Sequence, residues 1–216
     1  MKKNMIALAA SSMITASTLS ADFLGLELGY NIWNERTSGT YNNQLIQNDL
    51  GLNDKENNQF YYAYFDHFVP LIPNVKVQKT NLTHSNAVNK LTLDQTDLTL
   101  YYRMLDNWAN LDLGLTVRQF QGEMNDNKFD TKVPLAYAKA RVDLPFSDLS
   151  FEADVNYLSF SDYKVTDMKA GIVYKLSYGF GATIGYRKED ITLEDVDNVN
   201  ISNTTKGIYS GIFLHF

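Results

Sequence analysis

From Phe23 onward, apolar residues recur at every second position, the period that turns one side of an extended chain toward one environment and the other side toward another. Leu24, Leu26, Leu28, Tyr30 and Ile32 share one face, against Gly25, Glu27, Gly29, Asn31 and Trp33. Leu98, Leu100 and Tyr102 stand against Asp97, Thr99, Tyr101 and Arg103; Leu111, Leu113, Leu115 and Val117 against Asp112, Gly114, Thr116 and Arg118. The alternation returns at Ala136–Val142, with Lys139 and Arg141 opposed, and at Phe151–Tyr157, with Glu152 and Asp154 opposed. It continues through Ala170–Tyr174 and Phe180–Tyr186, with Arg187 on the polar side, and ends at Ile208–Phe216. With segments near 60–68 and 75–82, the pattern predicts about ten antiparallel strands and no long helix.

The connections add topology. Long polar stretches at 34–58, 83–89, 122–132 and 189–205 follow the odd strands, and tight turns at 70–73, 106–107, 145–148 and Ser177 follow the even ones. This is the pattern of an up-and-down barrel with long loops at one end and short turns at the other. Two places resist it. Lys79 falls on the apolar face of its strand, and Leu91 and Leu93 are out of phase with Leu98 and Leu100, which calls for a bulge or an extramembrane extension. Residues 60–68 are aromatic on both faces, and an eight-stranded count is the alternative to ten.

Alternation alone does not say which face meets water. Three features favour an apolar outside and a polar lumen, hence a transmembrane barrel. The polar face carries acids and bases together: Glu27, Asp97, Arg103, Asp112, Arg118, Arg141, Glu152, Asp154 and Arg187 form a predicted lumen charge network. Nine of the 12 glycines share that face, leaving room in a narrow bore. Tyr30, Tyr102, Tyr157 and Tyr186 stand at strand ends, where interfacial aromatic girdles lie. The chain also closes on Ile212, Leu214 and Phe216, an apolar stripe ending in Phe that fits a C-terminal assembly signal.

The first residues read as an export signal: Lys2 and Lys3, an apolar run from Met5 to about Ser17, then small residues with cleavage at Ser20 or Ala21. Residues 1–21 are thus expected to be removed, and 22–216 to form one all-β barrel domain. Of 19 basic and 25 acidic residues, loss of the two lysines leaves 17 against 25, a formal charge of −8 that disfavours nucleic acid. The chain has no cysteine, which excludes disulfides and thiolate metal sites.

The segments Ala21–Trp33, Pro70–Val75 and Asp97–Leu115, with Gly185-Tyr186-Arg187 and the terminal Phe216, resemble those of a family of small proteobacterial outer-membrane β-barrel proteins of uncharacterised function. The resemblance runs through the whole mature chain and departs at Asp66-His67-Phe68-Val69-Pro70, where a Glu-His-Pro-like turn is expected. It implies an outer-membrane barrel and carries over no catalytic residue.

Chemistry is sparse. His84 beside Ser85 could serve a hydrolase, but a solvated loop histidine is the preferred reading; His67 and His215 are expected to bond near the turn end. Asp49, Asp54, Glu56, Asp126, Asp130, Asp190, Glu194, Asp195 and Asp197 make the predicted loops acidic without calcium-loop spacing. No metal, cofactor or catalytic residue is assigned. The expected protein is a monomeric, non-enzymatic barrel with a plugged lumen and a structural or interaction role; a narrow channel for polar solutes is the alternative. Its expected partners are the outer-membrane bilayer, lipopolysaccharide and the barrel-assembly machinery.

Overall fold

The computed structural model describes residues 24–52, 55–69, 71–124 and 127–216. The export segment, with Ser20 and Ala21, lies outside them, as do Asp54, Pro70 and Asp126. Twelve strands follow in order: β1 (Leu24–Tyr41), β2 (Gln44–Leu45), β3 (Lys55–His67), β4 (Asn74–Asn81), β5 (Thr83–Ser85), β6 (Lys90–Asp106), β7 (Ala109–Met124), β8 (Asn127–Asp143), β9 (Leu149–Phe160), β10 (Tyr163–Lys175), β11 (Phe180–Val196) and β12 (Val199–His215). Ten pair with sequence neighbours in antiparallel order from β1 and β3 round to β12, and β12 pairs back with β1, so the sheet closes. Closure leaves no edge strand in the ring. The short β5 continues β4 along β6, and β2 folds back on β1.

Residues expected on the apolar face do point outward. Tyr30, Ile32, Leu98, Leu100, Leu115, Val117, Ile172, Ile184, Ile208 and Ile212 are all exposed and form a belt around the barrel. A continuous exposed apolar belt differs from the singly scattered apolar residues normal on a water-soluble monomer. Lys79 does not interrupt it. It pairs across the wall with Thr96 and lies 3.8 Å from Asp94, in the row where the outer wall turns polar.

The predicted long loops at 122–132 and 189–205 are instead strand. β7 runs to Met124 and β8 starts at Asn127, and β11 and β12 meet at Asp197-Asn198, both at positive φ. That backbone suits a tight hairpin of the kind Asn and Asp tolerate. Polar composition misled here because the outer wall above the belt faces water, where a strand needs no apolar outside. Residues 46–52 remain a loop, and its Ile46 and Leu52 are buried. Strands of 16 to 18 residues in β1, β6, β7, β8, β11 and β12 exceed the roughly 9–11 that a bilayer crossing takes, so the wall extends well beyond the apolar belt at the loop end.

Leu91 and Leu93 need no bulge. The β6–β7 register runs unbroken from Leu91↔Met124 to Arg103↔Asp112, and the shift comes only between Arg103 and Leu105. Both leucines point inward, into an apolar core that fills the protruding half: Phe120, Met124, Phe129, Val133, Leu135, Ile191, Leu193 and Ile201 join them there. The ambiguous 60–68 segment resolves into Phe60, Tyr62 and Tyr64 inward and Tyr61 and Phe65 outward, with Tyr30↔Tyr61 in register.

Candidate functional site

The lumen is the place where charged side chains converge. At the turn end lies a cavity of about 250 Å³ lined by Glu27, Asp66, Arg103, Asp112, Arg141 and His215, among others. Arg103 reaches Asp66 and Asp112, each at 3.0 Å. Lys139 lies 2.9 Å from Glu152, which is 4.0 Å from Arg141. Above them Tyr64, Tyr101 and Tyr137 form a buried aromatic layer with centroids 6.0–6.2 Å apart, and Tyr101 donates to Asp66. Lys76 sits 5.1 Å from the ring centres of Tyr64 and Tyr137, a cation–π position. Lys76 and Lys169 both approach Asp154, at 3.9 and 3.4 Å.

At the centre, Arg118 forks onto Asp97 through two 2.7 Å bonds and reaches Asp167 and Glu189 at 2.6 Å each. Arg187 bonds Asp167 at 2.9 and 2.8 Å and Thr80 at 3.1 Å. Gln95 donates to Glu189 at 2.7 Å, and Lys169 to Gln78 at 2.7 Å. These bonds join β7 to β10 and β11, β6 to β11, and β4 to β10 and β11, so they tie walls that are not neighbours in the sheet. The Arg118, Arg187, Asp167 and Glu189 side chains are fully buried. Charges this deep persist only when paired and hydrogen-bonded, and the forked guanidinium geometry supplies both. The Arg187 guanidinium also lies 4.6 Å from the Trp33 ring, where the charged layer meets the apolar core above.

Glycines shape this interior. The Tyr62 ring lies over Gly29 and the Phe213 ring over Gly181, so close that a β-carbon at either glycine would overlap the ring. The bore is thus narrow enough that aromatic rings use the space a side chain would take.

All nine charged residues expected in the lumen face it. Asp66, Lys76, Lys139, Asp167, Lys169 and Glu189 belong with them and were not in the expected set. Asp167 continues the alternation through Lys169 and Gly171, so the signal was present. Glu189 was hidden because its segment read as loop. His84 is a correction: it is not solvated but buried in β5, with Nε2 3.3 Å from Glu35, and Ser85 points to the opposite face. Adjacency on a strand therefore makes no His–Ser pair. His67 lies 3.1 Å from the carbonyl of Pro73, and His215 lies 3.6 Å from Glu27 at the turn end. Of the acids expected in loops, Glu56, Asp130, Asp190, Glu194 and Asp195 stand on strands, while Asp49 and Asp197 lie in connections. Ile212 points outward and Phe216 exchanges backbone bonds with Leu26, sealing the last strand to the first.

Fold and lumen together define a closed, antiparallel ten-stranded β-barrel with an apolar outer belt and a charge-paired interior. No protein-family model and no curated protein matches the chain. Among solved structures it is similar to neisserial surface protein A, at 12% identity and a TM-score of 0.43, over 88% of this chain and 97% of that one. It is also similar to the translocator domain of the autotransporter NalP from Neisseria meningitidis, at 9% identity and a TM-score of 0.42, over 100% and 96% of the two chains. A Pseudomonas aeruginosa FadL homologue aligns at 9% identity and a TM-score of 0.42, over 90% of each chain.

Proposed function

We propose that the chain is an integral protein of the Gram-negative outer membrane with a structural or interaction role and a sealed lumen. Residues 1–21 direct export and are removed, and the barrel then sits with its turns in the periplasm and its protruding half outside. The belt of exposed apolar side chains supports insertion, because only a closed barrel satisfies its backbone in hydrocarbon when strands do the crossing. The observation that carries the sealed lumen is the Arg118–Asp97–Asp167–Arg187–Glu189 cluster, bonded from wall to wall and capped by the apolar core.

Bilayer lipid, lipopolysaccharide in the outer leaflet and the barrel-assembly machinery are the proposed partners of a monomer. Ile212, Leu214 and Phe216 are the proposed assembly signal. A non-enzymatic role is favoured by the burial of His84 against Glu35 inside the protruding half, away from any substrate in solution. Planar-bilayer recordings on purified protein test the seal: no steady current is expected, and a steady, salt-dependent current would overturn it in favour of a narrow polar channel. Deleting Phe216 should leave export intact and lower the heat-modifiable, inserted fraction.

A further inference from the structure

Just above the apolar belt, four basic residues stand side by side on four consecutive strands. Lys55 of β3 is directly opposite Arg36 of β1, Arg36 is opposite Lys206 of β12, and Lys206 is opposite Lys188 of β11. All four point outward and are exposed. Directly opposed residues on one face lie about 5 Å apart, so the row is a band of positive charge about 15 Å long. Like charges placed this way oppose strand pairing rather than aid it. Among the described outward residues in the rows directly above and below, Asp190 is the one acid, and it is already held by Lys188 at 2.7 Å and Thr204 at 2.7 Å. The wall therefore offers this band little compensation of its own.

Depth gives the row its meaning. On β12 the outward sequence passes from Ile212 and Ile208 to Lys206, on β11 from Ile184 and Tyr186 to Lys188, and on β1 from Ile32 through Asn34 to Arg36. The cations thus begin where hydrocarbon would end. Beside them lie neutral hydrogen-bonding groups: Asn34 donates to Asn57 at 2.6 Å one row below, and Ser38 and Thr204 stand one row above.

We infer that Lys55, Arg36, Lys206 and Lys188 form a binding site for the phosphorylated saccharide headgroup of an outer-leaflet glycolipid. The cations would take the phosphate oxygens in charge-assisted bonds, and the flanking amides and hydroxyls would take the sugar hydroxyls. The inference rests on the outer-membrane reading and gives it a specific lipid-facing site.

The test uses the refolded full barrel and three probes: bisphosphorylated lipid A, phosphatidylglycerol vesicles and inorganic phosphate. Lipid A should raise the thermal unfolding midpoint of the wild-type protein and stay bound through purification. A basic group near an anionic surface is worth about fivefold in affinity, so Arg36→Gln/Lys188→Gln/Lys206→Gln should bind lipid A roughly a hundredfold more weakly. Lys206→Arg should bind like wild type. All these positions are exposed, and normal heat-modifiability of each variant certifies its fold. Wild-type affinity in the triple variant would overturn the site. Equal stabilisation by phosphatidylglycerol would reduce it to general anion attraction, and equal stabilisation by inorganic phosphate would make it a free-anion site; both overturn the glycolipid assignment. Flotation with neutral phosphatidylcholine vesicles separates the two levels: wild type that does not float overturns the membrane reading itself, whereas a floating protein that ignores lipid A overturns the site alone.

Discussion

The two halves of this barrel are built from the same strands yet solve opposite problems. Below, apolar side chains face out and charges face in; above, Leu91, Leu93, Val133, Leu135, Ile191 and Leu193 face in while Asp94, Lys132, Asp190 and Thr192 face out. No register shift separates the halves on β6 or β8. The strand keeps its pleat, and on the proposed outer-membrane reading the outside medium changes from hydrocarbon to water. Apolar residues therefore move by one position in sequence although the backbone does not. The belted half holds its interior with ion pairs, and the half beyond the belt holds its interior with packed apolar side chains.

That contrast can be broken experimentally. The largest effect is expected from Asp167→Ala, which strips a partner from both Arg118 and Arg187 and leaves buried charge uncompensated. A loss of about 3–5 kcal/mol is expected in denaturant unfolding from lipid vesicles. A charged cluster that contributed nothing to stability would leave the midpoint unmoved. Next comes Leu193→Ala, in the apolar upper core, where a cavity should cost about 2–4 kcal/mol. If that half were a water-filled loop region, the same change would be close to neutral.

Two lysine substitutions on the outward face of β11 then sharpen the boundary between the halves. Ile184→Lys places a charge in the belt and should cost about 2–4 kcal/mol in a bilayer. Thr192→Lys, eight residues further along the same face, should stay within about 0.5 kcal/mol. Equal costs at both positions would remove the water boundary placed between them.

Much of the lower half was legible in the chain. Glu27, Asp97, Arg118 and Arg187 fell on the polar face because period-two alternation assigns a side to every residue once one register is known. Asp167 was within reach by the same rule. Glu189 and the upper strands were not, because a strand with a polar outside and a wet flank has the composition of a loop. The Leu91/Leu93 phase change carried the correct information in compressed form: the alternation inverts where the solvent does, with no bulge needed.

The sequence alone determined which residues share a face and the approximate number of strands, since these follow from local periodicity. Only the tertiary structure decided that Arg118 reaches Asp167 and Glu189, that His84 meets Glu35 indoors, and that Lys55, Arg36, Lys206 and Lys188 form one row. Those contacts depend on closure of β12 onto β1 and on bonds across the bore. Contacts between residues far apart in the chain, from 49 positions for Arg118 and Asp167 upward, leave no trace in the periodicity of either strand.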